Sequence, residues 1–426
     1  MTKIAVIGTG YVGLTTGACF AHLGHEVICA DIDAAKVAML QRGEVPILEA
    51  GLDNLVREGL SGGRLSFVHS AAHAVADAEF AYLCVPTPQS IDGSADLSYI
   101  EDAAREIGPA LTSEAIVVTK STVPVGSTRV VERALGRSDV AVVSNPEFLR
   151  EGSAIHDFLN PDRIVIGAED QAAAVRVASL YLGITSPVIV TDPASAETIK
   201  YAANAFLATK ISFINAVAAV CEAVGADIKD VALGMGYDSR IGHEFLRPGP
   251  GWGGSCFPKD TRAMIRIAED AGYDFNLLKG VVTVNDEQLN RVADKVVASA
   301  GGSVKGKKIA AWGLTFKART DDVRESPSLA VLDRLRQRGA IIRAFDPAVH
   351  AGQHDLEGIE VVDDPYAAVD GAEVLVVLTE WDEFRWLDVD KLADLMAARK
   401  VVDARNLLDR AAFARRGFDY LGVGRS

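Results

Sequence analysis

The sequence predicts an α/β protein in which two doubly wound parallel-sheet domains, 1–193 and 301–426, are joined by a central helical domain, 194–300, that contains one long helix. Three observations predict it. Short β-rich apolar runs alternate with helical periodicity through the first half, the pattern of buried parallel strands and crossover helices. A long block without strand-like runs follows. Beyond it, the order strand, glycine turn, helix, strand ending in Asp returns, as in an internal duplication.

Taken in order, "KIAVIG" is a strand and "LTTGACFAHLG" its helix, and "HEVICAD" with "AAKVAMLQRG" repeats the pair. "FAYLCVPTP", "AIVVTKSTVPVG", "VAVVSNPEF" and "DRIVIGA" supply further strands. From Ala194 to about Val224 the apolar spacing becomes that of a single helix, stopped by Gly225, and helical segments run on to about Ser299. "GGSVKGK" reads as a linker. After it "KKIAAWGLTFK" restarts a strand, "SPSLAVLDRLRQRG" a helix, and "AIIRAFDP", "AEVLVVLTEW" and "KVVDARN" three more strands.

Composition limits the function. A chain of 426 residues that is 49% hydrophobic and 24% charged describes a soluble globular protein of two or three domains. A formal net charge of −15 disfavours nucleic-acid and anionic-membrane partners and leaves small molecules. The start, "MTKIAVIGTG", is too glycine-rich for a signal peptide, so a cytoplasmic location is expected. The five cysteines, Cys19, Cys29, Cys84, Cys221 and Cys256, form no zinc spacing and no secretory framework. Reduced thiols and no metal are expected. Four of the five lie in apolar segments and read as core filler; Cys256, in "RPGPGWGGSCFPKD", does not.

"VIGTGYVG" places Gly8, Gly10 and Gly13 in GxGxxG register between a strand and a helix. Gly8 permits the tight turn, Gly10 lets backbone approach a pyrophosphate, and Gly13 allows close helix–strand packing. The helix N-terminus then faces the phosphate charge. Asp31 closes the second strand where an acceptor for a ribose hydroxyl is needed, and its charge would repel the 2′-phosphate of NADP. The first domain is therefore a Rossmann-like binder of NAD. In the second Rossmann-like half the glycine triplet is replaced by "WGLTFKARTDDVRESPS", where Lys317, Arg319 and Arg324 suit a phosphate-bearing ligand other than a dinucleotide, or simply a solvated loop facing Asp321 and Asp322.

"VIGTGYVG", "STVPVGST", "NPEFLREG", "KYAANAF", "PGPGWGGSCFPKD" and "LTFKARTDDVRESPS" together resemble the UDP-glucose/GDP-mannose dehydrogenases, the nucleotide-sugar 6-dehydrogenases, and their UDP-glucose branch most. The resemblance spans nearly the whole chain. It implies an NAD domain, a helical dimerising middle and a UDP-sugar domain, with UDP-glucose as substrate and a homodimer as the assembly. It also implies a four-electron oxidation in which a C6 alcohol becomes an aldehyde and then an acid, with two NAD+ consumed.

Such a reaction has a use for one exposed cysteine. An aldehyde must gain a nucleophile before a second hydride can leave, and a thiolate gives a thiohemiacetal that oxidises to a hydrolysable thioester. Cys256 stands just before Pro258, a residue suited to a first helical turn, and beside Lys259; both features favour thiolate. Gly253 and Gly254 are expected to leave room for the sugar carbon. Asp260, four residues on, faces the same way on a helix. By resemblance it handles water or protons, while a carboxylate favoured by the helix dipole is the plainer account.

The remaining assignments also rest on the resemblance. Lys200 and Asn204 stand at the reacting oxygen, where an ammonium and an amide suit an oxyanion. Glu147 and Thr122 serve the catalytic water. Tyr11, Val12, Lys36, Thr87, Thr122, Glu151, Lys259 and Arg324 join the glycines and Asp31 around NAD. Phe148, Leu149, Arg150, Glu151, Lys200, Asn204, Arg247, Gly249, Gly251, Trp252, Gly253, Lys317 and Arg405 contact the sugar nucleotide, as does Arg240, which reaches across a dimer. Trp252 replaces a usual Tyr or Phe, and Ala404 a usual glycine before Arg405. Other readings stay open: GDP-mannose or a UDP-N-acetylhexosamine as substrate, a two-electron dehydrogenase with a structural Cys256, or a non-catalytic NAD sensor.

Overall fold

The computed structural model describes residues 1–88 and 95–425. The chain forms two compact units, Met1–Ala203 with Arg262–Ala271, and Asn204–Thr261 with Gly272–Ser426. The first holds an eight-stranded sheet: β1 (Lys3–Ile7), β2 (Glu26–Ala30), β3 (Leu65–Val68), β4 (Phe80–Leu83), β5 (Ile116–Thr119), β6 (Ala141–Ser144), β7 (Ile164–Gly167) and β8 (Val188–Thr191). Its order is 3-2-1-4-5-6-7-8. The second holds β9 (Lys308–Trp312), β10 (Ile341–Phe345), β11 (Ile359–Val361), β12 (Val374–Val377), β13 (Lys400–Asp403) and β14 (Asp419–Gly422), in the order 11-10-9-12-13-14.

The six strands of the second sheet repeat the order of the first six of the other, so the expected duplication is present. Both sheets reverse direction of travel beside their first strand, the place where ligands bind in doubly wound folds. The strands β4, β5, β7 and β12 are fully buried and mostly Val, Ile, Leu and Ala, as strands covered on both faces must be. One difference from the sequence expectation is that β6 meets β7 antiparallel, through Ser144 and Gly167. After β6 the chain forms the loop 145–153 and only a six-residue helix, Ala154–Leu159, before β7 begins. That stretch makes no full crossover, and the edge pair β7–β8 enters reversed.

The long helix runs from Pro193 to Val224 over 32 residues and ends at Gly225, whose φ of 76° suits a C-terminal stop. Helices Ile228–Gly236, Phe257–Asp270 and Asn276–Ser299 complete the strand-free middle of the chain. The 301–307 stretch is more than a spacer: Val304 lies in the hydrophobic core with Ile309, Leu335 and Ala340. A buried polar stripe follows the long helix at spacings of three, four, eight and three residues through Glu197, Lys200, Asn204, Ser212 and Asn215. Glu197 and Lys200 bond to the loops after β5 and β6, Asn204 to Asp260, and Ser212 and Asn215 to the loop that carries Gly249 and Trp252.

Candidate active site

In the first unit the turn after β1 has the features of a dinucleotide cradle. Gly8 has φ 95°, and a Cβ there would stand 2.7 Å from the Cys84 carbonyl. At Gly13 a Cβ would fall 1.9 Å from the Gly8 carbonyl, so only glycine lets the helix Tyr11–His22 approach β1. Gly10 has nothing within 4 Å of its Cβ position, and the helix it opens has no side-chain cap. Its first N–H groups are thus left for an anion. Val12 packs half-buried against the core.

Asp31, just after β2, has its Oδ2 bonded by the Thr9 N–H at 2.9 Å, the Thr9 hydroxyl at 2.6 Å and Lys36 Nζ at 3.1 Å. Oδ1 accepts from the Asp33 N–H at 3.0 Å. Burial alone would raise this carboxyl, but the Thr9 hydroxyl, the Asp33 and Thr9 N–H groups and the Lys36 ammonium hold it down at about 2. It is an anion throughout the working range of pH. Thr87 donates to the Thr122 carbonyl at 2.9 Å and joins the loops that follow β4 and β5. Glu197 receives the N–H of Gly126 at 2.6 Å and the N–H and hydroxyl of Thr128 at 3.0 and 2.8 Å, so the long helix caps the helix Ser127–Leu135 and holds the loop that carries Thr122.

The loop after β6 carries Glu147, whose Oε1 pairs with Lys200 Nζ at 2.9 Å with both side chains 5% exposed. Its Oε2 accepts the Leu149 N–H at 2.5 Å. Phe148 lies between two cations, with Arg163 3.5 Å and Lys200 5.4 Å from the ring centre. Arg150 turns to Asp157 through two nitrogens, at 2.6 and 3.0 Å. Glu151 is near enough to raise the Tyr11 phenol electrostatically, behind the larger effects of burial and of Glu49.

In the second unit Cys256 is exposed, whereas Cys19, Cys29, Cys84 and Cys221 are buried. Burial pushes the Cys19 and Cys84 thiols up to about 12, which leaves them inert. Cys256 immediately precedes the helix Phe257–Asp270, and its carbonyl accepts the Asp260 N–H at 2.8 Å. Asp260 is fully buried; Asn204 Nδ2 donates to its Oδ2 at 2.6 Å and Lys259 Nζ lies 2.8 Å from its Oδ1. The Lys259 charge is thus shared with Asp260 next door and does not serve the thiol alone, and the Asn204 amide already has a carboxylate partner.

The loop that leads to Cys256 is held by side chains the sequence did not mark. Asn215 accepts the Gly249 N–H at 2.9 Å and Gln288 donates to the Gly249 carbonyl at 2.8 Å. Asn285 exchanges bonds with both backbone groups of Trp252, at 2.8 and 3.1 Å, and Ser212 accepts from the buried indole at 2.9 Å. Gly251 has φ 140°. At Gly253 a Cβ would stand 2.0 Å from the Glu325 carbonyl, and at Gly254 2.8 Å from the Phe316 ring. These glycines make room for the chain itself, which packs the thiol loop onto the 316–327 segment.

Arg405 lies beside this loop. Its Nε donates to the Leu378 carbonyl at 2.8 Å, its Nη2 to the Phe316 carbonyl at 3.2 Å, and a Cβ on Gly249 would be 3.1 Å from Nη1. Lys317 Nζ stands 5.4 Å from the Phe316 ring. Gly249, Phe316, Lys317 and Arg405 are therefore gathered in one unit, as a phosphate-bearing ligand would require. Arg324 pairs with Asp322 at 2.7 Å, Arg240 with Asp238 at 2.5 Å, and Arg247 is exposed. Thr9, Glu49, Arg163, Glu197, Asn215, Asn285 and Gln288 were missed; their signal is a polar residue set in an apolar helix face or loop, legible only once the fold is known.

Three family models match the chain. Residues 2–185 match the NAD binding domain of the UDP-glucose/GDP-mannose dehydrogenase family, residues 194–287 its central domain and residues 310–410 its UDP binding domain. A UDP-glucose 6-dehydrogenase of Rhizobium meliloti is 48% identical, with 99% of each chain covered. Among solved structures, a UDP-glucose dehydrogenase from Pyrobaculum islandicum superposes with a TM-score of 0.92 at 40% identity, covering 100% of this chain and 98% of that one. A UDP-D-ManNAc dehydrogenase from Pyrococcus horikoshii gives 0.88 at 28% identity, covering 99% of each.

Proposed function

The chain belongs to the UDP-glucose/GDP-mannose dehydrogenase family, and from that premise we propose that it oxidises UDP-glucose to UDP-glucuronate with two NAD+. The observation that carries the four-electron reading is Cys256, the exposed thiol of the five, set at a helix start one turn from the buried pair Asn204–Asp260. UDP-glucose is favoured over an N-acetylhexosamine because the chain is closer to the UDP-glucose enzymes, at 48% and 40% identity, than to the ManNAc enzyme at 28%.

The residues divide the work as follows. Gly8, Gly10, Gly13, Tyr11, Asp31, Lys36 and Thr87 would hold NAD, which supplies the hydride acceptor when bound. The C6 hydroxyl loses a proton and a hydride to give the aldehyde. The Cys256 thiolate adds to that carbon, the thiohemiacetal loses the second hydride, and water cleaves the resulting thioester to the acid and the free thiol. Lys200 and Asn204 steady the oxygen, Glu147 and Thr122 place the water, and Asp260 takes and returns the proton. Arg247, Gly249, Trp252, Lys317 and Arg405 bind the nucleotide sugar.

We assign the assembly as a homodimer built on the long helix. Phe206, Phe213, Val220 and Val224 are exposed at seven- and four-residue spacing along one side of it. The helix is long and apolar enough to cross a membrane, but its buried Lys200, Asn204, Ser212 and Asn215 bond to other parts of the protein, which supports a soluble role.

The decisive experiment counts NADH per sugar with UDP-glucose, UDP-N-acetylglucosamine, UDP-N-acetylmannosamine and GDP-mannose. Two NADH per UDP-glucose is expected. In Cys256→Ser, UDP-glucose should still bind while acid formation falls by about a thousandfold or more. Full turnover in that variant would sink the covalent route, and one NADH per sugar in the parent would sink the four-electron reading.

A further inference from the structure

Glu49 takes no part in the chemistry above, and nothing local in "PILEAGL" marks it. It stands between the helices Ala34–Gln41 and Leu52–Ser61 and is 6% exposed. Its two oxygens take donors from two segments far apart in sequence. Oε2 accepts the Tyr11 hydroxyl and, at 2.7 Å, the Gly152 N–H; Oε1 accepts the Ala154 N–H at 2.9 Å. The Gly152 N–H also reaches the Tyr11 oxygen at 2.9 Å, which closes a triangle. Burial, with the Glu49 carboxylate beside it, raises the Tyr11 phenol far above its ordinary value, so the hydroxyl stays a donor.

The two segments are the ones that matter most in this unit. Tyr11 begins the helix whose N-terminus has no side-chain cap and opens from the glycine turn, and Gly152 closes the loop that carries Glu147, Phe148 and Glu151. We propose that Glu49 is a positioning residue, a buried carboxylate that fixes the 147–152 loop to the dinucleotide turn and so sets where Glu147 and Glu151 stand relative to bound NAD. The proposal rests on the reading of the chain as an NAD-dependent dehydrogenase. Loop and turn could each keep their own fold without Glu49, since Arg150 is tied to Asp157 and Glu147 to Lys200 independently. What Glu49 adds is the register between them.

The test is Glu49→Gln, which keeps the size but turns an amide NH2 toward backbone N–H donors. Amide exchange of residues 149–154 in the cofactor-free protein should speed up about tenfold, with exchange in β1, β4 and β5 unchanged. The Kd for NAD, followed by calorimetry without sugar, should rise about tenfold, and kcat with UDP-glucose should fall by at least as much. Tyr11→Phe leaves both N–H bonds to Glu49, so its Kd for NAD should rise about threefold. The proposal is overturned if Glu49→Gln exchanges and binds NAD like the parent. It is equally overturned if protection is lost evenly across the sheet, or if Tyr11→Phe matches the parent in both exchange and affinity. Exchange and NAD binding are read without sugar, so a parent that makes no NADH from UDP-glucose defeats the activity reading and leaves this test standing.

Discussion

Asp31 at the end of β2 and Asp346 at the end of β10 occupy the same place in two sheets of the same strand order, and both hold the turn that follows the first strand. Asp31 receives the N–H and hydroxyl of Thr9; Asp346 receives the N–H groups of Leu314 and Thr315 at 2.7 and 3.0 Å and the Thr315 hydroxyl at 3.1 Å. Gly8 and Gly313 sit alike before those turns, with φ 95° and 99°. The difference lies in what comes next. The first turn passes through the uncapped, open Gly10 straight into its helix. The second runs through 314–326 before the helix Pro327–Gln337, which is capped by its own Ser326 at 3.2 Å from the Ser328 N–H. Asp346 is 1% exposed and also takes the Trp381 indole N–H at 3.2 Å. A duplicated fold thus keeps its turn-holding aspartate in both halves, while only the first half offers a bare helix start to an anion.

If the comparison is right, removing the two aspartates has different consequences. Asp346→Ala removes the acceptor of four N–H donors and a hydroxyl, two of those N–H groups and the hydroxyl in a buried turn, and should destabilise the protein by about 3 kcal/mol or more in urea unfolding. Asp31→Ala should cost clearly less, because Asp31 borders solvent where Asp346 does not, yet it should raise the Kd for NAD. Equal losses would mean that the first turn is as closed as the second. The next largest effect is expected from giving the first helix the cap it lacks. Gly10 has extended backbone, φ −67° and ψ −172°, and open space at its Cβ, so Gly10→Asp should fold with stability within about 1 kcal/mol of the parent. Its carboxylate would take the N–H groups meant for phosphate, and NAD affinity should fall about a hundredfold by calorimetry. Retained affinity would show that the helix start is not the anion site.

The parts of this arrangement that were legible in the sequence are those whose physics is local. Gly8, Gly10, Gly13 and Asp31 announce themselves because a turn, a close approach and a strand end need those residue types in order. Cys256 stands out because glycines and charges surround it where a core thiol would have apolar neighbours. The duplication and the long helix were legible as periodicity. What stayed hidden depends on partners distant along the chain: Glu49 meets Gly152 across 103 residues, and Asn285 meets Trp252 across 33. That Gly253 and Gly254 also make way for Glu325 and Phe316 was hidden, because a glycine does not say which neighbour it makes way for. The reversed β7–β8 pair was missed for a related reason, since strand direction is set by the connection and leaves no mark on a four-residue apolar run.

A smaller effect separates the ionic part of Asp31 from its hydrogen bonds. Its folded pKa is depressed to about 2 from 3.8, so its charge contributes stability at pH above the unfolded value and loses that contribution as pH falls through the folded one. The side chain is only 10% exposed and the shift is worth up to about 2 kcal/mol. Asp31→Asn should therefore trail the parent by up to about 2 kcal/mol at pH 7 and pH 5, and the gap should narrow at pH 3, where the unfolded parent takes up a proton that the folded carboxylate does not. Urea unfolding at the three values measures it. A gap that stays constant from pH 7 to pH 3 would assign the whole effect to lost acceptor geometry. Asp31 would then differ from Asp346 only in exposure, and its charge would have to be credited to the ligand rather than to the fold.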